Sequence, residues 1–213
     1  MSAKKVFISF RYDDGHKIKE ELAKILAENA LTIDCSEEQD RGWFSDEQIK
    51  RYLYAKLSQT SVTIILLTPN AINHKKMYGK YDDWMYDEIR YSLEDREYNR
   101  TNGLIAVYTK EAKDFLIRQS THTCRICNET KSCTTILQVD NLFRKNMMNV
   151  LPEYKTNKCD DLYDSEWDSY CQLVSYEDFI KDVNKYIAIA SKKRERCEQY
   201  DLVKDLNKRK VGV

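Results

Sequence analysis

Short apolar runs along the chain alternate with longer stretches in which apolar residues recur every three or four positions. The runs span residues 4–10 (KKVFISF), 31–36 (LTIDCS), 61–68 (SVTIILLT) and 103–109 (GLIAVYT). β-Branched and aromatic residues dominate them, so each is predicted as a strand. The third is apolar almost without interruption, as in a strand covered on both faces. Between them, Ile18, Leu22, Ile25 and Leu26, then Ile49, Leu53 and Leu57, then Met85, Ile89 and Leu93 stand at helical spacing. The order β-α-β-α-β-α-β predicts an α/β fold with a parallel sheet, right-handed crossovers and helices on both faces. Ligands of such sheets bind outside the carboxyl ends of the strands, near the point where strand order reverses.

The pattern changes near residue 117. Residues 118–174 hold Cys124, Cys127, Cys133 and Cys159, a polar acidic stretch and one candidate strand, TTILQVD, and are expected to form an insertion or irregular subdomain. Residues 175–213 begin with Ser175-x-x-Asp178, close to a capping box. Phe179, Val183, Tyr186, Ile187 and Ala190 follow at helical spacing. This segment is expected to be a C-terminal helix that completes the domain begun by residues 1–117. Its Lys- and Arg-rich end is expected to be a solvated helix extension or a frayed basic tail.

Charge narrows the choice of partners. Lys+Arg and Asp+Glu both number 35, so no net field favours nucleic acid or a membrane surface, and neither partner is expected. No apolar run approaches the ~20 residues of a membrane span, and the start of the sequence carries no signal-peptide core; the expectation is a cytoplasmic protein. In that compartment seven cysteines point to free thiols or a metal rather than to disulfides. The five glycines form neither a dinucleotide fingerprint nor a P-loop, so any nucleotide is held in another way.

Two constellations carry chemistry. In DDWMYDEIRYSL (82–93), Trp84, Glu88 and Tyr91 share one helical stripe, and Met85, Ile89 and Leu93 the adjacent one. If the second stripe packs on the sheet, Glu88 stands at the edge of the core and faces the cleft. The alternative is an ordinary surface carboxylate. The second constellation is HTCRICNETKSC: Cys124-x-x-Cys127 presents two thiols from one turn, and Cys133 with His122 or Cys159 could close a tetrahedral zinc site. Unbound cytosolic thiols are the alternative.

Taken in order, VFISFRYDDG, LTIDCSEEQDRGWF, TIILLTPNAI and DDWMYDEIRYSL resemble a Toll/interleukin-1 receptor (TIR) domain. They are most similar to the NAD-consuming TIR enzymes and the TIR-like proteins of bacterial Thoeris anti-phage defence. The resemblance covers about residues 4–117, with the helix after Ser175 as its last element. It implies a flavodoxin-like, TIR-type sheet of about five strands. It also implies an enzyme that cleaves the nicotinamide–ribose bond of NAD, with Glu88 as the catalytic residue and Trp84 one turn before it. Phe10, Arg11, Tyr12 and Asp13 then line the nucleotide site. Asp34, Gly42, Trp43 and Phe44 match the segment that gates the pocket and mediates assembly, and Thr68 and Pro69 match the turn that ends the third strand.

Alternatives stay open for single residues: a surface ion pair of Arg11 with Asp13, Asp14 or Glu38, core packing for Phe10, and a solvated basic loop for His74, Lys75, Lys76 and Lys80. The acidic loop 37–48 departs from the family pattern, being an awkward surface for a polyanion. The product implied is a cyclic or conjugated ADP-ribose signal read by a downstream effector, and the implied protein partners are further copies or other TIR domains. The competing functions are a TIR scaffold without turnover and a nucleoside deoxyribosyltransferase-like enzyme. A response-regulator receiver is disfavoured, because the third strand ends in Thr68-Pro69 where that fold needs an Asp.

Overall fold

A computed structural model describes residues 4–29, 32–34, 46–72, 84–96, 100–137, 141–157, 159 and 162–207, without the side chains of 32–34, 46, 49, 50, 72, 84 and 135. Strand β1 (Lys4–Ser9) leads to helix α1 (Tyr12–Glu28), β2 (Thr32–Asp34), α2 (Asp46–Leu57), β3 (Val62–Leu67), α3 (Trp84–Ser92), β4 (Gly103–Tyr108) and α4 (Lys110–Leu116). A hairpin of β5 (Ile117–Thr123) and β6 (Thr130–Ile136) follows, then the short α5 (Leu142–Lys145). The chain returns as β7 (Cys171–Ser175), α6 (Tyr176–Lys181) and α7 (Val183–Glu195). Strands β2-β1-β3-β4-β7 form one five-stranded sheet, parallel throughout, and β5 pairs with β6 in a separate antiparallel ribbon.

Side-chain alternation along the strands assigns the faces. Val6, Ile8, Val62, Ile64, Ile105 and Val107 pack with Leu22 and Leu26 of α1 and with Val183, Ile187 and Ala190 of α7. The residues between them turn the other way: Ile65, Leu67, Leu104 and Ala106 meet Met85, Ile89 and Leu93 of α3, and Phe7 meets Leu53 and Leu57 of α2. Every residue of β3 is buried, as its unbroken apolar run requires for a central strand covered on both sides. The helices expected around Leu22, Leu53 and Ile89 are present, and their apolar stripes are the faces buried.

Three features differ from the sequence reading. The fifth strand is CQLVS, joined to β4 in the register Leu104↔Cys171 to Tyr108↔Ser175, where no strand was expected. The C-terminal helix is two helices. Ser175 caps α6, its Oγ accepting from the Asp178 amide at 3.1 Å and donating to Asp178 Oδ2 at 2.8 Å, but Asp182 then caps α7 by accepting from the Lys185 amide at 3.0 Å. An aspartate that holds a free helical N–H stabilises a restart, and the apolar spacing runs across the break without registering it. Finally, the Lys- and Arg-rich end is neither a solvated extension nor a frayed tail as far as Leu206. Lys193 is 1% exposed and donates from Nζ to the Ser169 carbonyl at 2.6 Å. Leu202, Val203 and Leu206 pack on the core beside α3.

Two close contacts lock these layers. A Cβ on Gly103 would stand 2.2 Å from the Ala190 carbonyl oxygen, so glycine is what allows α7 to lie directly on β4. Tyr170, fully buried, donates to the Asn102 carbonyl at 2.9 Å, while Asn102 Nδ2 donates to Thr60 and Thr63 at 2.8 and 3.1 Å. Among the described residues, no helix is long and apolar enough to cross a membrane.

Candidate active site

Strand order reverses between β1 and β3, since β2 lies outside β1 whereas β4 and β7 lie beyond β3. The carboxyl ends of those two strands therefore frame the crevice in which such sheets take ligands. Ser9, the last residue of β1, has the same parity as Phe7 and so faces α3. There its hydroxyl donates to Glu88 Oε2. Glu88 is 7% exposed, a burial a carboxylate tolerates when its oxygens receive hydrogen bonds. The helix beneath it is tied to the next strand, because Ser92 Oγ lies 2.7 Å from Thr63 Oγ1 and donates to the Glu88 carbonyl at 2.8 Å. Glu88 is thus placed at the edge of the core on the sheet-facing side of α3, near the reversal point. Ser9, Thr63 and Ser92 do the placing, and none of them stood out in the sequence. A serine closing an apolar run looks like any strand residue, and 79 positions separate it from its partner.

The turn after β1 opens α1. Arg11 is its N-cap residue in extended conformation and makes no side-chain cap, while Asp13 and Asp14 occupy the first turn, where the helix dipole favours negative charge. Asp14 also crosses to β3: its carboxylate accepts from Thr68 Oγ1 at 2.7 Å and from the Asn70 amide at 2.8 Å. Thr68 is buried and receives the Ala71 amide at 3.3 Å. The two strand ends that frame the crevice are thereby latched to each other. Phe10 is partly buried against the α1 side of the core. Tyr12 is 50% exposed, with its ring 6.5 Å from Phe10 and 4.8 Å from His16, while Asp13 is exposed. Asp34 ends β2 and Trp84 begins α3, but their side chains lie outside the described residues, as do Gly42, Trp43, Phe44, His74, Lys75, Lys76 and Lys80.

The cysteines sort into two groups. Cys124, Cys127 and Cys159 have their sulfurs within 4.8 Å of one another. Cys133 is on β6 and its sulfur contacts the Lys131 carbonyl at 3.8 Å, while His122 lies opposite Lys131 in the same ribbon. Amide donation from Cys127 and Ile126 lowers the pKa of Cys124, and the hydrogen bond with Cys127 pushes that of Cys159 up to about 11.

A five-stranded parallel sheet in the order β2-β1-β3-β4-β7 with helices on both faces is a flavodoxin-like α/β fold of the TIR type. The chain belongs to the family described as Thoeris protein ThsB, TIR-like domain, whose profile matches residues 7–114. It is also similar to the TIR domains in the activated Roq1 resistosome that directly recognises the pathogen effector XopQ. That match has 18% identity and a TM-score of 0.34, and covers 51% of this chain and 58% of the other.

Proposed function

We propose that this protein cleaves the nicotinamide–ribose bond of NAD, with Glu88 as the catalytic residue. The observation that carries the reading is the Glu88 carboxylate, buried at the reversal point of the sheet with Ser9 donating to one of its oxygens. Nicotinamide in NAD is a cationic ring and leaves as a neutral molecule with the bonding electron pair. It needs no general acid, and a second carboxylate of the kind other glycoside hydrolases use is unnecessary. The ribosyl group left behind is an oxocarbenium ion, and a fixed carboxylate in a site of low polarity stabilises that positive charge as it develops. Ser9 holds the carboxylate oriented. Water adding to the anomeric carbon gives ADP-ribose and releases a proton, whereas a nucleophile within ADP-ribose or on a second molecule gives a cyclic or conjugated product.

Arg11 is the proposed partner of the pyrophosphate, Tyr12, Phe10, Trp43 and Trp84 the proposed ring contacts, and Asp13, Asp34 and Thr68 further lining. In this reading the product is a signal for a downstream effector in anti-phage immunity, and the site is completed by association with further copies or other TIR domains.

The test is mass spectrometry of NAD incubated with the purified protein and with lysate of phage-infected cells expressing it, each beside Glu88→Gln. Nicotinamide release abolished by Glu88→Gln is the expected result, and the mass of the coproduct identifies the acceptor. A folded protein that leaves NAD intact in both settings refutes the proposal in favour of a scaffold.

A further inference from the structure

The β5–β6 ribbon poses a problem that its own sequence does not solve. Arg118, Gln119, Ser120 and Thr121 are exposed, and among the described residues of the ribbon Ile117 and Ile136 are the ones in the core cluster. A two-stranded ribbon with so little apolar surface is marginal in water. Yet its far end is sharply folded, and Cys124, at the tip, is completely buried.

The fold of the tip is built around one sulfur. The Ile126 amide points at Cys124 Sγ at 3.4 Å and the Cys127 amide also donates to it. The Asn128 amide closes on the Cys124 carbonyl at 2.9 Å and the Cys124 amide on the Glu129 carbonyl at 2.9 Å. Asn128 adopts φ 57°, a left-handed conformation that asparagine accepts more readily than most residues. Amides aimed at a sulfur stabilise a thiolate more than a thiol. The turn also brings Cys127 round to the same side as Cys124. The third thiol arrives from far along the chain: Cys159 sits in a loop shaped by its own amide on Asn157 Oδ1 at 2.8 Å and by Lys155 Nζ on its carbonyl.

We propose that Cys124, Cys127 and Cys159 bind a zinc ion that staples the ribbon tip to the segment carrying Lys155, Asn157 and Cys159. Zinc–thiolate bonds of ~2.3 Å at tetrahedral angles place sulfurs ~3.8 Å apart, so the observed spacing, within 4.8 Å, closes with shifts of about 1 Å. With a water molecule as the fourth ligand, binding releases three thiol protons to solvent and leaves a site with one net negative charge. The Lys155 ammonium beside Cys159 offsets that charge. Cys133, although nearer in sequence to the Cys-x-x-Cys pair, is not a ligand, because it stands opposite Ser120, three positions along the strand from Thr130, and its sulfur lies outside the cluster. The ion ties two segments of residues 118–170 together where apolar packing does not, and its role is structural and independent of the NAD reading.

The test is elemental analysis of the full-length protein, purified under reductant with zinc supplied, together with cobalt substitution and peptide-resolved alkylation. The expected result is about one zinc per chain and thiolate-to-cobalt charge-transfer absorption. Cys124, Cys127 and Cys159 are protected from alkylation, whereas Cys133 is not. Cys127→Ser, at an exposed position that leaves the core intact, loses the metal, and Cys133→Ser keeps it. Chelation raises hydrogen exchange across residues 117–136 without unfolding the main sheet. The proposal is overturned by well under one zinc per chain, by full retention in Cys127→Ser, by a Cys124–Cys127 disulfide that persists in the protein purified under reductant, or by alkylation of all four thiols at equal rates with zinc present.

Discussion

Lys193 offers a sharp test of the C-terminal architecture. Its side chain is 1% exposed and its ammonium donates to the carbonyl of Ser169, two residues before β7. Burial lowers its pKa from 10.5 to about 8, because the surrounding apolar atoms favour the neutral amine over the cation. An unfolded chain therefore holds this proton more tightly than the folded one. Stability associated with Lys193 is greatest above pH 10.5, declines as pH falls toward 8, and is lost below it. Each pH unit between the two values corresponds to about 1.4 kcal/mol, so the full difference is about 3 kcal/mol, of which roughly 1 kcal/mol appears between pH 7 and 9.

Other groups titrate above pH 7, Cys171 among them, whose thiol burial pushes up to about 12. Comparison with Lys193→Met removes their contribution, since both proteins keep Cys171 protonated in the folded state through this window. Urea unfolding of the two proteins at pH 7, 8 and 9 should show the wild type gaining about 1 kcal/mol on the variant from the lowest pH to the highest. A difference that stays flat, or slopes the other way, would mean that the ammonium is not desolvated in the folded protein and that the end of α7 is not buried as described.

Three further outcomes follow from the same contacts. Ser9→Ala removes a hydrogen bond to a carboxylate worth about 1.5–3 kcal/mol; if Glu88 acts as proposed, kcat for NAD cleavage falls roughly 10- to 100-fold with a smaller change in KM, measured by nicotinamide release. Gly103→Ala forces a methyl group against the Ala190 carbonyl and should cost about 1–3 kcal/mol or more, read as a lower Tm by calorimetry. Tyr86→Phe deletes the hydroxyl that donates to Asp205 at 2.8 Å and accepts from the Leu206 amide at 2.9 Å; exchange of the amides in 201–207 should quicken, with about 1 kcal/mol lost.

The main sheet was legible because its strands are apolar runs and its helices amphipathic, two signals that local periodicity carries directly. CQLVS lacked them. It is short, follows an acidic stretch, and owes its place to pairing with β4 and to Tyr170 anchoring on Asn102, neither visible locally. At the candidate site, the spacing of Trp84, Glu88 and the apolar stripe in WMYDEI left an ordinary surface carboxylate open, and the resemblance to TIR domains is what implied a catalytic Glu88. Ser9, which holds that carboxylate, gave no such cue, and Asp14 entered only as a surface partner for Arg11 although it latches Thr68 and Asn70. Among the cysteines, the sequence offered Cys133, with His122 or Cys159, beside the Cys124–Cys127 pair; the thiols that converge are Cys124, Cys127 and Cys159, and Cys133 stands opposite Ser120, three positions along the strand from Thr130. Lys193 read as solvent-facing because charge alone does not reveal which lysine a later loop will cover.

The strap across α3 also bears on when the protein can work during its own synthesis. Tyr86, two residues before Glu88, finds its hydroxyl partners 119 and 120 positions downstream, and β4 likewise waits for the later β7 to pair with it and for α7 to cover it. Contacts so distant in sequence form late. A ribosome that has delivered β1 to β4 has made every residue assigned here to chemistry, yet the helix carrying Glu88 still lacks one of its flanks. It stays incomplete until residues 200–206 emerge. A chain stalled or clipped before that point would leave an unfinished site, so if the protein cleaves NAD as proposed, that activity is expected in molecules whose translation has passed that point.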